Sequence, residues 1–470
     1  MATLWDQPGA MLLRSALFRS KAERYSFVMA QPFAVFSSRG TSAQLVSESG
    51  VSPLHGNPWN LLEDLMTPFA PMAEFDSPLP LGGCFGFWGY NLQSFVEKKA
   101  PAWAPNDLNL PDCYVGFYGS LLVFDHHLNK QFIVATGLGL DSSRTDERAS
   151  SQAEFWKLTI LKGQEPQTPR DQAHGTPNLS SNLDRESYIR KVEQAQFYIQ
   201  QGDIYQVNLA HRLHTRHDWR AQDIFLNLLD QSPSPFAAFL NCGDFQIISS
   251  SPESFLRLSG DRIRTRPIKG TRPRHADPTR DAQLTYELQT SPKEMAELVM
   301  ITDLLRNDLG KICEFGSVQV PELVRLERFP QVQHLVSTVE GKIQNKISHL
   351  AALKSCFPGG SISGAPKSRA TEIIDQLETV PRGPYTGALG YLGFNRESQL
   401  SMIIRTVLNR GNDAWFHVGA GIVADSIPEA EYEETLAKAA GILVALTAPP
   451  SHELTFKNVQ HSLPQRSIPS

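Results

Sequence analysis

Over residues 27–136 the chain carries almost no helical period. Short runs rich in β-branched and aromatic residues, at 26–36, 114–124 and 131–135, are separated by Gly, Pro and Asn turns. Apolar residues placed this way suit a pleated, half-buried surface, so the spacing predicts a mostly β N-terminal lobe over 1–164. Residues 165–183 change to Pro, Gln, Ser, Asn and charge. Such a segment cannot bury enough apolar surface to hold a fold, and a linker or loop is expected there. From 184 to 446 strands and helices alternate, and the polar, Pro-rich stretch 447–470 reads as a disordered tail. A chain of 470 residues exceeds one simple core. The expected outcome is two lobes, or one large domain built from two sheet systems, of mixed α/β (α+β) class.

Three helices in the second half have explicit start and stop signals. Asp184 or Ser187 can cap the first, Tyr188, Val192, Ala195 and Ile199 line one face, and Gly202 ends it. Ser291 caps the second, with Pro292 at its first helical position and Gly310 at its end. The third runs over 428–446 behind Ser426 and Pro428.

The second and third helices each carry a Glu-x-x-Glu pair, Glu294 with Glu297 and Glu431 with Glu434, and a spacing of three places both carboxylates on one helix face. Glu297 sits among Met295, Leu298, Val299, Ile301 and Leu305, so its helix has little solvated surface and its carboxylate needs a partner. Either the pairs are solvated helix faces, or four carboxylates without His or Cys hold a hard cation, for which Mg²⁺ is the best match. Lys438 follows Glu434 by four, which fits either a local ion pair or part of a carboxylate-binding cleft. The strand over 415–418 is expected to run into a turn, Gly419-Ala-Gly421, whose bare amides can approach an anion. Arg405, inside an apolar strand at 401–408, implies a bidentate carboxylate.

In Arg266-Pro-Ile-Lys-Gly-Thr-Arg-Pro-Arg274, Lys269 is held in constrained backbone sixteen residues after Glu253. It is either a solvated surface charge or a desolvated amine able to act as a nucleophile. The segment Pro358-Gly-Gly-Ser-Ile-Ser-Gly-Ala-Pro-Lys367, which includes Ser361, is not a phosphate loop, because Ala365 and Pro366 separate its last glycine from the lysine. It can still touch a substrate carboxylate through its amides. His334 has no partner in the sequence and reads by itself as structural.

Composition removes several alternatives. A formal charge of -5 and a pI near 6.2 give no basic field for a nucleic acid. The five cysteines are odd in number, widely spaced and without a Cys-x-x-Cys pair, so they are expected to be buried thiols. No apolar run approaches the roughly 20 residues of a membrane span. The N-terminal segment lacks a continuous apolar h-region, and cytoplasm is the expected location.

The motifs Gly202-Asp-Ile-Tyr-Gln-Val-Asn-Leu209, Ser-Pro-Glu253, Pro-Ile-Lys-Gly-Thr271, Met-Ile-Thr-Asp-Leu-Leu-Arg-Asn-Asp-Leu-Gly310, His334-Leu-Val-Ser, the Gly-rich stretch to Lys367, Gly-Pro-Tyr385-Thr-Gly, Ile-Arg405-Thr and Gly419-Ala-Gly-Ile-Val-Ala-Asp-Ser resemble, in order, those of the chorismate-utilising enzymes. Gly82-Gly-Cys-Phe-Gly-Phe-Trp-Gly-Tyr90 resembles that family's glycine-rich strand pair. The resemblance implies an anthranilate synthase component I-like fold of two sheet-rich halves with outer helices and a central cleft. In that fold 165–183 is a loop and not a domain boundary.

Within the family the resemblance favours the aminodeoxychorismate branch over the anthranilate branch, its nearest alternative. Water-adding members place a lysine where this chain has Gln206, and anthranilate synthases carry Ala where it has Lys269. The implied catalytic residues are Lys269 as nucleophile on C2 of chorismate, Glu253 as acid toward the C4 hydroxyl, and His334. Mg²⁺ on Glu297, Glu434, Glu431 and Glu294 is implied to hold the ring carboxylate. Tyr385, Arg405, Gly419, Lys438, Gln206, Ser361 and Gly421 are the implied substrate contacts. A glutaminase subunit on another chain is implied to supply ammonia.

Overall fold

A computed structural model describes residues 3–15, 24–96, 104–163, 179–329 and 332–447. The expected tail beyond Thr447, and most of the expected linker, lie outside the described residues; of the linker's described end, Ser180–Ser181 pairs with the strand Gln206–Arg216.

Among the described residues the strands form two antiparallel sheets, one of 11 strands and one of 12. N-terminal residues enter both. Met11–Arg14 pairs with Phe236–Asn241 in the first sheet, and Gly83–Trp88 pairs with Ala388–Gly393 in the second. The β-rich stretch therefore builds no sheet of its own. The pairing of Gly86 with Val115 on the neighbouring strand Cys113–Tyr118 shows why the glycine-rich motif is written as it is, since a Cβ at Gly86 would lie 2.1 Å from the Tyr114 carbonyl oxygen.

Side-chain alternation sorts the layers. Met11, Phe27, Phe85, Phe87, Ile247, Leu389 and Tyr391 fill the space between the sheets. On the outer face of the first sheet, helices Arg185–Gln200 and Lys367–Leu377 cover Val207, Leu209, Ala420 and Ile422, while Ala221–Gln231 and Pro428–Thr447 cover Leu213, Ala414, Phe416 and Val418. Helix Pro292–Gly310 packs on the second sheet through Leu298, Ile301 and Leu305. The capping signals operate as expected: Asp184 accepts from the Ser187 amide and Ser291 from the Glu294 amide, with Pro292 in the first turn. All five cysteines are free thiols and buried. Among the described residues no helix is long and apolar enough to cross a membrane.

Two local expectations change. Gly419 to Gly421 is not a turn but part of the continuous strand Asp413–Ile422, where Gly419 faces Ala210 and Gly421 faces Asn208 across the ladder. Extended partners on Gln206–Arg216 hold the glycines in register, so their freedom to turn is not used. Arg405 is not inside a strand either: it lies between Glu397–Met402 and Thr406–Arg410 at φ +50. Those two strands belong to different sheets, and the left-handed Arg405 lies in the short connection that carries the chain from one to the other.

Candidate active site

The period of two in the first sheet places the site. With Val207, Leu209, Ala420 and Ile422 turned to the outer helices, Gln206, Asn208, His417, Gly419 and Gly421 face the opposite side. The second sheet supplies Lys269 by a different device. Lys269 pairs with Leu335 and Thr271 with the adjacent His334, so Gly270 is an extra residue in the ladder, at φ +68. This bulge re-aims the side chain before it. A Cβ at Gly270 would meet Leu288 Cδ1 at 2.7 Å and Glu294 Oε2 at 3.0 Å, so only glycine fits between strand and helix.

Lys269 Nζ lies 3.2 Å from Glu297 Oε2, and the same oxygen accepts from Gln206 Nε2 at 3.0 Å. A Cβ at Gly421 would be 2.7 Å from Gln206 Nε2 and 3.7 Å from Lys269 Nζ. These four residues form one wall. Because a carboxylate only accepts, the Gln206 amide must turn its Nε2 toward Glu297, which leaves Oε1 facing away, buried and without a hydrogen-bond partner. Glu253 is buried beside Lys269 and Ser361. Burial pushes its carboxyl up to about 7, against the pull of the Ser361 hydroxyl, the Lys269 charge and the Ile268 amide.

Arg405 borders the same space. Among the described residues no carboxylate pairs with it, and burial alone lowers its pKa, leaving a desolvated guanidinium with no counterion. The bidentate partner expected from the sequence is thus not supplied by the described residues. His334 is buried, bonds Thr271 Oγ1 through Nδ1 at 2.8 Å, and is pushed down to about 4 by burial and by Arg405, so it is neutral near pH 7. Tyr385 stacks on His417 with ring centroids 5.0 Å apart, and its hydroxyl lies 3.1 Å from where a Gly419 Cβ would stand. Lys438 bonds Glu434 at 2.8 Å, the local i,i+4 pair, and also donates to the Gly419 carbonyl at 2.8 Å. The helix is thereby fastened to the strand it covers.

The glutamates are less gathered than the helix faces suggested. Glu297 and Glu434 both act on Lys269, and Glu431 and Glu434 act on each other. Burial and the Glu434 charge push Glu431 up, while Ser426 Oγ donates to it at 2.6 Å. Glu294 is held by Arg272 at 3.3 Å. Among the described residues no three His, Cys, Asp or Glu side chains stand together as a metal site. The donors nevertheless suit a hard cation, since Glu431 and Glu434 repel each other and the positive charge that offsets them comes from lysines.

One of those lysines was not singled out in the sequence. Lys293 Nζ is 3.6 Å from Glu431 and feels Glu297 and Glu434 as well. Its signal was available, because it precedes Glu297 by four on the same helix face. Asn208 was also missed, though it lies two residues beyond Gln206 on the same strand face. Lys367 is settled as structural: its ammonium is bonded to Asp308 and to the Cys356 carbonyl at 3.0 Å.

Residues 14–444 match the family model described as chorismate binding enzyme. Anthranilate synthase component 1 of Thermus thermophilus is 42% identical over 382 residues, 80% of each chain. Aminodeoxychorismate synthase component 1 of Escherichia coli is 37% identical over 440 residues, 93% of each chain. The crystal structure of anthranilate synthase component I from Streptococcus pneumoniae superposes with a TM-score of 0.79 at 31% identity, covering 91% of this chain and 94% of that one. The menaquinone-specific isochorismate synthase of Escherichia coli shares the fold, with a TM-score of 0.71 at 18% identity, covering 95% of this chain and 90% of that one.

Proposed function

The chain belongs to the chorismate-binding enzyme family, and from that membership we propose that it is an aminodeoxychorismate synthase component I, making 4-amino-4-deoxychorismate from chorismate and ammonia. Relatives of both branches match at similar identity, so overall likeness does not choose between them. The observation that carries the choice is the Lys269 amine, aimed by the Gly270 bulge into the space shared by Gln206, Glu253 and Glu297.

In this reading the neutral amine of Lys269 attacks C2 of chorismate, and Glu297, 3.2 Å away, orients it. As the C2–N bond forms, both ring double bonds shift, from C1=C2 and C5=C6 to C1=C6 and C4=C5, and the C4–O bond breaks. The hydroxyl leaves as water with the proton of Glu253, whose carboxyl titrates near 7 and so is available as an acid at neutral pH. Ammonia then attacks C4, both double bonds return to C5=C6 and C1=C2, and Lys269 leaves C2 as the neutral amine with the electron pair of the C2–N bond. The unpartnered Gln206 Oε1 accepts from an N–H of the incoming ammonia; an amide oxygen is too weak a base to deprotonate water, which keeps the site selective. Arg405 pairs with a substrate carboxylate, and Tyr385 and the Gly419 strand border the same anion. Mg²⁺ on Glu297, Glu434, Glu431 and Glu294 would supply positive charge to the ring carboxylate when bound.

The relatives' designation as component 1 supports a second component, which we take to be a glutaminase subunit delivering ammonia. An anthranilate synthase is the second reading, the activity named for the Thermus thermophilus relative. Incubating the chain with chorismate, Mg²⁺ and ammonium and identifying the product separates the two: 4-amino-4-deoxychorismate is expected, and anthranilate with pyruvate would overturn the assignment.

A further inference from the structure

We infer that the buried pair Glu378 and Arg382 is a positioning device for this reaction, holding in one frame the three backbone segments that present Gln206, Ser361 and Tyr385. The inference rests on the functional reading above, in which those residues face the nucleophile, the acid and the substrate carboxylate.

Arg382 and Glu378 side chains are 1% and 6% exposed. The guanidinium has five N–H donors, and all five are used. Nε and Nη2 grip Glu378 at 2.9 and 2.6 Å. The second Nη2 hydrogen goes to the Asn208 carbonyl at 2.7 Å, and the Nη1 pair goes to the Ile362 carbonyl at 3.1 Å and Thr386 Oγ1 at 3.2 Å. Glu378 Oε1 in turn accepts from the Ala210 amide at 2.9 Å. The Tyr90 and Tyr385 rings lie 4.7 and 5.7 Å from the guanidinium carbon.

The addresses of those bonds are the point. Asn208 is two residues from Gln206, Ile362 adjoins Ser361, and Thr386 adjoins Tyr385. The pair touches no reacting group itself, yet the three donors not spent on Glu378 each end one or two residues from a residue of the site. A buried ion pair kept only for stability could be replaced by apolar packing of the same volume. Only a planar fork with five fixed directions can register three segments at once, and lysine, with three rotating donors, cannot.

The test uses Arg382→Lys and Glu378→Asp in the full chain with chorismate, Mg²⁺ and ammonium. Both keep the two charges paired, and Glu378→Asp serves if Arg382→Lys does not fold. We expect kcat to fall at least about tenfold in folded protein, as for a misplacement of about 1 Å. We also expect the alkaline limb of kcat/KM, set by Glu253 between Ser361 and Lys269, to move upward as the Ser361 hydroxyl withdraws. A purely structural role would scale activity with the folded fraction at every pH and leave that limb in place; this result, with kcat within twofold of wild type after correction for folding, overturns the inference. An inactive wild type would instead overturn the functional reading.

Discussion

Lys269 and Lys367 stand in similar local text, each beside proline and glycine, and the molecule uses them in opposite ways. Lys367 reaches back to helix Pro292–Gly310, where it bonds Asp308, which is 1% exposed and also takes Lys311 at 3.2 Å, and it adds the Cys356 carbonyl at 3.0 Å. Its charge is consumed in joining a loop to a helix. Lys269 makes its ion-pair contact with Glu297, and that carboxylate also holds Gln206. The difference lies in how fully the partners are used. Where donors and acceptors exhaust one another the group is architecture; where a buried group keeps unused capacity toward a shared space, it is available to a ligand. Arg382 belongs with Lys367 by this measure, and Arg405, Gln206 Oε1 and Glu253 belong with Lys269.

If the distinction holds, Glu253→Gln should have the largest effect, lowering kcat about 10²- to 10⁴-fold by removing the acid while a similar volume keeps the fold. In the wild type, activity needs the protonated carboxyl, so kcat/KM should decline as pH rises through about 7. The stability sign follows the same shift. A raised carboxyl binds its proton more tightly folded than unfolded, so its contribution is complete below the unfolded value and is lost as pH rises through about 7. Glu253→Gln should therefore lose less stability than wild type between pH 5 and 8, read by thermal melts.

Lys367→Met should lower unfolding stability by about 3–5 kcal/mol, because it leaves much of the Asp308 charge buried and uncompensated. Lys269→Met should change it by about 1 kcal/mol or less. Equal losses in denaturant titrations of the two variants would remove the distinction. Arg405→Gln is expected to raise KM for chorismate about 10- to 100-fold, as a charged hydrogen-bonded pair is worth about 1.5–3 kcal/mol. An unchanged KM would mean that the guanidinium faces no substrate carboxylate. The smallest effect is reserved for Gln206→Lys, which should add a minor hydroxylated isomer to the products when ammonium is withheld, detectable by chromatography of the reaction mixture.

Much of this arrangement was legible in the sequence for a physical reason. Helix Arg185–Gln200 is marked by local capping and one apolar face, and the two glutamate pairs by a fixed helical spacing. What the sequence concealed depends on contacts between distant segments. Nothing near Gly419 reveals that Gln206–Arg216 will hold it extended, and nothing near Lys367 names Asp308 as its partner. The Gly270 bulge was half visible: the Pro-Ile-Lys-Gly-Thr text announced constrained backbone, but which neighbour crowds the glycine, Leu288 and Glu294, is a tertiary fact. Arg382 escaped notice because an Arg four residues after a Glu at a helix end looks like a surface pair until its burial is known.

The central claim is that Lys269 is a nucleophile and not merely a counterion for Glu297. Mass spectrometry of the chain quenched during turnover with chorismate, Mg²⁺ and ammonium tests it most directly. The account predicts a chorismate-derived adduct on the peptide containing Lys269, absent from Lys269→Ala, with that variant unable to form 4-amino-4-deoxychorismate by the covalent route. No adduct, together with a Lys269→Ala variant that makes 4-amino-4-deoxychorismate at the wild-type rate, would contradict it.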